Sequence, residues 1–311
     1  MIWKIIRVLI LIGLIIGGAF FIYQNLPGEP VDFIKKGSID DGSINLNYGD
    51  TPVFMENLRF NHNNISFFIE SSCSTERRES TREAFNIFEV STGIINFREV
   101  GNSNADIKVG CSDNYIPVGE THFAAGEGGP SLIINTSVFK IIEEGKIALY
   151  RETACDYPVV ELHELGHVFG FDHSPNPSNI MYNISNCNQR ITPDMINIIR
   201  ELYLIEPLPD AKIKEISVVK RGRYLDFNIS IQNEGLSEIP KSKLTILTGG
   251  ELVDKFELSE IKIGFGQSLQ VTNLKLPSRS TSQVEFYLDF ENKIREINEN
   301  NNFVNLEIGP A

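Results

Sequence analysis

Residues 163–174 carry the sequence His-Glu-Leu-Gly-His-Val-Phe-Gly-Phe-Asp-His-Ser, and this stretch decides the fold around it. Apolar residues recur at helical spacing through residues 152–173, which predicts a helix over that segment. On a helix, His163 and His167 lie one turn apart on the same face, because residues four apart are neighbours. Their two imidazoles are therefore expected to bind one metal ion.

Gly170 and His173 complete the pattern. Glycine adopts positive φ readily, so Gly170 can end the helix and turn the chain back until His173 becomes a third ligand. Three neutral imidazoles with one open coordination position are typical of a catalytic zinc site. Glu164 follows the first histidine and projects beside the metal, where it can act as a general base toward a water whose pKa zinc lowers.

The spacing of this motif is specific. The chain has only 5 His and 24 Gly in 311 residues, and three of the histidines fall within residues 163–173. The five fixed positions of H-E-x-x-H-x-x-G-x-x-H coincide by chance in about one chain of this composition in a hundred thousand. An accidental cluster of helix histidines is therefore a poor explanation of the motif.

The motif resembles the signature of metzincin metalloproteases, in which a methionine turn follows the third histidine. Met181 is the methionine candidate, within residues 178–182, and its family role is an apolar floor beneath the imidazoles. Ser174, the Ile-Met-Tyr form of the turn and the closing helix are similar to the matrixin branch. The resemblance covers residues 57–205.

This resemblance implies a zinc endopeptidase with a mixed α/β (α+β) fold, one catalytic zinc and a protein or peptide substrate. Residues Leu132 to Asn135 would match the edge strand that pairs with the substrate backbone. The loop from Asn183 to Arg190 would set side-chain preference. Glu127 could contribute a calcium ligand, although the calcium-binding stretches of the family are not clearly matched. No cysteine for the family's latency switch lies between residues 24 and 56.

Residues 57–205 also show a pattern of ordinary structural elements. Residues 64–71, 94–100 and 105–111 predict strands, and the region from His122 predicts a glycine-rich loop before a further strand. Helices are expected between Ser74, a candidate N-cap, and Gly93, and from Thr192 to Leu204. His62 and His122 are interpreted as surface or loop histidines.

Residues 1–24 contain a long apolar segment preceded by Lys4 and Arg7. Positive charge before the apolar run favours an amino terminus inside the cell and the rest of the chain outside. A cleaved signal peptide is the alternative to an uncleaved transmembrane anchor, but small residues for a cleavage site are poorly represented. We expect a single-pass membrane protein that contacts lipid through this helix, or a secreted protein if the segment is cleaved.

Outside the cytoplasm, an even number of cysteines suggests disulfide bonds. The four cysteines allow three pairings. A bond between Cys155 and Cys187 would enclose the histidine motif, and a bond between Cys73 and Cys111 would then follow.

Domain organisation follows from changes in composition. Residues 25–56 are rich in Gly, Pro, Asp and Ser and are expected to be a linker with little structure. Prolines near residue 207 mark a boundary between the metalloprotease domain and residues 206–311. The short alternating runs of the last segment predict an all-β sandwich. Residues 231–235 and 296–302 resemble CARDB-type adhesion modules, which have an immunoglobulin-like fold.

The charge balance of 28 basic against 41 acidic residues gives a net charge of −13, which argues against a nucleic-acid partner. The sequence thus predicts a membrane-anchored, extracytoplasmic zinc endopeptidase. The alternative is a surface adhesion or scaffold protein with a vestigial zinc site, against which the intact Glu164 argues.

Overall fold

The computed structural model describes residues 2–36, 51–113, 116–118, 122–151 and 154–309. The chain divides into two compact units. The sandwich unit comprises Met1–Asp41, Pro209–Glu234 and Glu238–Ala311, and the matrixin-like unit comprises Gly42–Leu208 and Gly235–Ser237. The first unit therefore contains both ends of the chain.

Helix α1 (Ile2–Asn25) begins the chain, and strand β1 (Pro30–Lys36) follows it closely. The span Trp3–Asn25 has a mean hydropathy of 2.7 and is long and apolar enough to cross a membrane, as an anchor or a signal sequence would be. Strand β1 corrects our expectation of an unstructured linker over residues 25–56. Residues 51–56 depart from it as well, since Thr51 is buried and residue 53 bridges to Phe171. Residues 37–50 lie outside the described part.

The matrixin-like unit is a mixed sheet with helices packed on it, as predicted. Its elements are β2 (Leu58–Arg59), β3 (Asn64–Ile69), α2 (Thr75–Thr92), β4 (Asn96–Glu99), β5 (Ile107–Cys111), β6 (Pro117–Val118), β7 (His122–Phe123), β8 (Gly126–Asn135), β9 (Lys140–Leu149), α3 (Val159–Val168) and α4 (Pro193–Leu204). The strand order is β2-β9-β5-β3-β4, all parallel, with β8 paired antiparallel to β9.

Helix α2 has the predicted ends. The Ser74 hydroxyl accepts a hydrogen bond from the Arg77 backbone N–H at 3.2 Å, and Gly93 ends the helix at φ 63°. The buried face of α2 packs on the sheet through aromatic rings, with Phe85 stacked on Phe67 at a centroid distance of 4.2 Å. These contacts fix the sheet against the helices.

Two local expectations are wrong. Helix α3 begins at Val159 and not near residue 152, since Pro158 occupies its N-cap and a residue before proline avoids helical backbone angles. The expected glycine-rich loop is strand from Gly126 onward, because β9 supplies a pairing partner from Gly126 to Asn135, with register shifts on either side of Leu132. Strand β9 is not predicted from the sequence. Both disulfides, Cys73–Cys111 and Cys155–Cys187, are formed as expected.

The sandwich unit has two four-stranded sheets that enclose an aliphatic core, which confirms the all-β expectation. One sheet has the order β1-β10-β11-β14 and the other β13-β12-β15-β16, all antiparallel. The added strands are β10 (Ala211–Arg221), β11 (Tyr224–Asn233), β12 (Ser242–Thr248), β13 (Glu251–Leu258), β14 (Gly266–Lys275), β15 (Gln283–Leu288) and β16 (Phe303–Glu307).

Candidate metal centre

Helix α3 places two histidines of the motif one turn apart. His163 is buried and His167 is half-buried, and their Nε2 atoms are 3.1 Å apart. Two nitrogens bound tetrahedrally to zinc at about 2.0–2.1 Å lie about 3.3 Å from each other. The spacing of the two Nε2 atoms is therefore close to what a shared ion requires.

The turn after α3 brings the third histidine to the first two. Gly170 has φ 89°, a conformation that costs glycine nothing, and it allows the chain to reverse directly after the helix. The ring of His173 lies 5.2 Å from that of His163 and 5.0 Å from that of His167, between centroids. One ligand atom from each of the three residues lies within 4.8 Å of the others.

Backbone carbonyls orient the two helical imidazoles. Nδ1 of His163 lies 2.8 Å from the Ile180 carbonyl oxygen, and Nδ1 of His167 lies 2.7 Å from that of Phe171. Because each Nδ1 donates its proton to a carbonyl, each Nε2 presents a lone pair to the centre of the cluster. Burial lowers the pKa of His163 to about 4 and also lowers the pKa of His167. Both rings are thus neutral at pH 7, the form that binds metal.

Met181 is fully buried. A Cβ atom placed on Gly166 would lie 2.3 Å from the Met181 sulfur, so the glycine in the middle of α3 is what admits this side chain. The turn is held in place from both sides: the Met181 carbonyl accepts from the Ser174 N–H at 2.8 Å, and its N–H donates to the side chain of Asn179. The Met181 side chain therefore packs against α3 at Gly166, the residue before His167.

Glu164 is buried on the side of α3 that faces strand β8. A Cβ on Gly128 would lie 2.1 Å from the Glu164 backbone oxygen, and one on Gly126 would lie 2.8 Å from the Glu164 Cγ. Only glycines allow β8 to approach the helix so closely. The backbone N–H of Gly128 also donates to the Glu164 carboxylate.

The environment of Glu164 favours a bound proton. Burial is the main cause that raises the pKa of its carboxyl to about 8, and the negative charges of Glu127 and Glu161 add to the effect. Glu127 itself accepts a hydrogen bond from the Tyr150 hydroxyl at 3.0 Å. The carboxyl of Glu164 therefore holds protons more tightly than an exposed glutamate.

The histidine motif does not reveal three further residues of this site, Gly126, Gly128 and Tyr150. A usable signal was the Gly-Glu-Gly-Gly run at residues 126–129, since glycine inside a strand often marks a close backbone approach. The structure does not place Glu127 in an acidic cation cluster: among the described residues, the histidine trio alone forms a group of three potential ligands.

The other two histidines lie outside the trio. The side chain of His62 is 40% exposed and its Nε2 lies 3.6 Å from an Asp106 carboxylate oxygen, which agrees with a surface histidine. His122 lies in the β6–β7 hairpin, and its side chain falls outside the described part.

The comparison with protein families agrees with this geometry. The matrixin family model matches residues 59–204. We refer to this matched segment, residues 59–204, as the matrixin domain. The CARDB family model matches residues 208–305, and we refer to the sandwich formed by these residues and β1 as the CARDB domain.

Comparisons with individual proteins add less. Among curated proteins, none matches the chain. Among solved structures, a CARDB domain from Pyrococcus furiosus, crystallised in complex with di-metal ions, is 18% identical and covers 33% of this chain and 88% of its own. Its TM-score is 0.28.

Proposed function

We propose that this chain is a membrane-anchored zinc endopeptidase that acts outside the cytoplasm. The observation that carries the proposal is the convergence of His163, His167 and His173, whose ligand atoms lie within 4.8 Å of one another on a matrixin domain. A buried carboxylate directly follows the first of these histidines in sequence.

The donor set fits zinc. It offers three imidazoles, of which the two on α3 are neutral and are oriented by backbone carbonyls so that Nε2 is free to bind. Such a set leaves a fourth position of the tetrahedron open. When bound, zinc would supply a Lewis acid that polarises the scissile carbonyl and makes an attacking water more acidic.

Glu164 is assigned the proton transfers. Its carboxylate accepts a proton from the attacking water and delivers that proton to the nitrogen of the leaving amine. The raised pKa of the Glu164 carboxyl suits a group that must hold a proton between these two transfers. The positive charge of a bound ion acts in the opposite direction and favours the ionised form needed at the start.

Strand β8 is assigned the binding of the peptide. It is an outer strand of the sheet, paired with β9, and the side chain of Leu132 on it is 57% exposed. An extended peptide can add to such a strand through main-chain hydrogen bonds, which are independent of side-chain identity. The exposed loop from Asn183 to Arg190 would then contribute side-chain preference.

Helix α1 is assigned the role of an uncleaved anchor. Its candidate span, Trp3–Asn25, carries Lys4 and Arg7 ahead of the uncharged residues 8–23, and this charge position favours an orientation with the domains outside the cytoplasm. The two disulfides also favour a location of the domains outside the cytoplasm, since such bonds persist in oxidising compartments.

The proposal is tested with the purified full-length chain and a fluorescent casein substrate. Cleavage is expected without additives, its loss after treatment with a zinc chelator, and its recovery when zinc is restored. Calcium added in place of zinc is the matched control and should restore nothing. Cleavage that persists in the chelator, or no cleavage by the zinc-loaded chain, would leave only an anchored adhesion or scaffold protein.

A further inference from the structure

The order of the sequence separates the CARDB domain from helix α1 by the whole matrixin domain. The pairing of strands nevertheless places the segment that follows α1 in a sheet of the CARDB domain. Strand β1, which begins five residues after the last residue of α1, forms the outer strand of a CARDB sheet. It pairs with β10 in continuous antiparallel register from Pro30 opposite Arg221 to Lys36 opposite Glu215.

The register defines two ends of the sandwich. Pro30, Arg221, Tyr224 and Lys275 lie at one end, which we name the anchor end. Strands β10, β11 and β14 run from there to the opposite end, which we name the far end and which includes Glu260 in the connection before Gly266. Strand β11 has 10 residues, so the two ends are about 30 Å apart at the usual rise per residue.

The anchor end holds the last turn of α1 through close backbone contact. A Cβ atom on Gly28 would lie 2.9 Å from the backbone nitrogen of Gly222, and one on Gly222 would lie 3.0 Å from the Leu26 carbonyl oxygen. Gly222 has φ 64°, as the tight turn between β10 and β11 requires. Two glycines therefore allow the helix exit and the turn to touch without side chains between them.

Arg279 binds the carbonyl groups that the helix end leaves open. Its Nη1 donates to the carbonyl oxygen of Tyr23 at 2.6 Å and to that of Leu26 at 3.1 Å, and its guanidinium lies 4.5 Å from the centroid of the Tyr23 ring. Arg223 adds a contact of 3.4 Å to the side chain of Asn25. The helix terminus is thus capped by Arg279 and also contacted by Arg223 through the Asn25 side chain.

The segment that carries Arg279 is itself fixed to the sandwich. The buried Lys220 donates to the carbonyl oxygen of Thr281 at 2.7 Å, and Arg223 donates to the carbonyl oxygens of Leu276 and Pro277. The arginine is therefore presented by a supported turn, and the helix cannot leave it without breaking several contacts.

The geometry points to a membrane-proximal CARDB domain whose anchor end, through Arg223 and Arg279, contacts the phosphate groups of lipids in the outer leaflet. This inference rests on the anchor assigned to α1 above, and it is independent of catalysis. The apolar run of α1 ends at Tyr23, and aromatic residues prefer the interface between hydrocarbon and headgroups. A guanidinium stacked on that ring lies at headgroup depth, where it can form charge-assisted hydrogen bonds to phosphate.

The test uses the full-length chain with the Glu164→Gln substitution, reconstituted in vesicles of phosphatidylcholine and phosphatidylglycerol. A donor fluorophore is attached to a single added cysteine, by Ser280→Cys at the anchor end or by Glu260→Cys at the far end. Both positions are exposed. Energy transfer to an acceptor on the lipid headgroups is expected to be several-fold stronger from residue 280 than from residue 260.

A second comparison addresses the arginine. Arg279→Ala should lower the transfer from residue 280, whereas Lys262→Ala, an exposed basic residue toward the far end, should leave it unchanged. Equal transfer from both labels, stronger transfer from residue 260, no effect of Arg279→Ala, or a chain mass that lacks α1 would each overturn the inference. Because the labelled protein carries Glu164→Gln, none of these outcomes depends on whether the casein assay succeeds.

Discussion

The matrixin domain and the CARDB domain are assembled over very different ranges of sequence. The histidine trio and Met181 of the candidate metal centre lie within residues 163–181, on a single helix and the turns after it. The CARDB sheet instead pairs residues about 190 positions apart in the sequence, as at Pro30 and Arg221.

The comparison shows which contacts spacing alone can reveal. Residues one helical turn apart must be neighbours wherever the helix forms, so the metal centre depends little on the rest of the chain. The pairing partner of a strand is set by the tertiary fold. The sequence of residues 30–36 alone therefore does not predict that this segment pairs with β10. The histidine trio is therefore set by a local segment, while the position of α1 against the CARDB sheet depends on a long-range pairing.

The largest expected effect is on casein cleavage, from a substitution within residues 163–181. Glu164→Gln should lower casein cleavage by a factor of about 100–10,000, because an amide cannot accept the proton of the attacking water. Zinc binding should be retained, since the three histidines are untouched.

Glu161→Gln is the matched control for this substitution, one turn away on the same helix and half-buried. It should retain most of the cleavage. Equal casein cleavage by the Glu164→Gln variant and the unmodified chain would contradict the assignment of the proton transfers to Glu164.

The next effect tests the approach of β8 to the helix. Gly128→Ala places a Cβ 2.1 Å from a backbone oxygen of Glu164, so it should destabilise the domain by about 1–3 kcal/mol and reduce cleavage. Urea unfolding followed by circular dichroism measures the first effect.

Gly129→Ala provides the control in the next residue of the same strand, where an added Cβ meets no atom within 4 Å. Both substitutions alter chain entropy alike, so their difference isolates the contact with Glu164. Indistinguishable stabilities would contradict the close approach.

A smaller effect tests the long-range pairing of β1. Phe33 packs partly buried against the CARDB core, and Phe33→Ala should lower the free energy of unfolding of that domain by about 1–2 kcal/mol. Ile34, the next residue, is 71% exposed, so Ile34→Ala should change the free energy of unfolding very little. If the two variants unfold alike, residues 30–36 behave as the linker that composition suggests.

The smallest effect is a pH dependence in the CARDB domain. Burial raises the pKa of Glu296 to about 8, and the charge of nearby Asp210 adds to it. The folded domain then keeps a proton that the unfolded chain has already released, so stability contributed by this group is present below about pH 4.5 and is lost as the pH rises to about 8.

Glu296→Gln should remove this contribution, so between pH 5 and 6 the free energy of unfolding of the variant should fall by about 1 kcal/mol less than that of the unmodified chain. The exposed Glu260→Gln variant should follow the unmodified chain. Unfolding midpoints in urea at each pH provide the measurement, and parallel curves for all three proteins would refute the assignment.

Much of the matrixin domain could be predicted, because its signals are local. Ser74 and Gly93 mark the ends of α2, and the histidine spacing marks the centre of the site. The start of α3 was misplaced because apolar periodicity continued through a segment that Pro158 excludes from the helix. The role of Gly128 was missed because it depends on which strand lies against the helix.

The fold class of the CARDB domain could be predicted, but the full set of strands that form it could not. Alternating runs after residue 210 indicate a sandwich, yet β1 is short and lies between segments rich in turn-forming residues. Its apolar positions gain a partner only when β10 is already in place. The contacts of Arg279 with the helix end follow from that pairing and had no separate signal.

Zinc content measured together with cleavage tests the central claim most directly. Elemental analysis of the purified chain, of Glu164→Gln and of His167→Ala should find one zinc in the first two proteins and none in the third, with casein cleaved only by the first. Zinc retained by His167→Ala, or cleavage by a protein without zinc, would contradict the assignment of the three histidines and Glu164 to one catalytic centre.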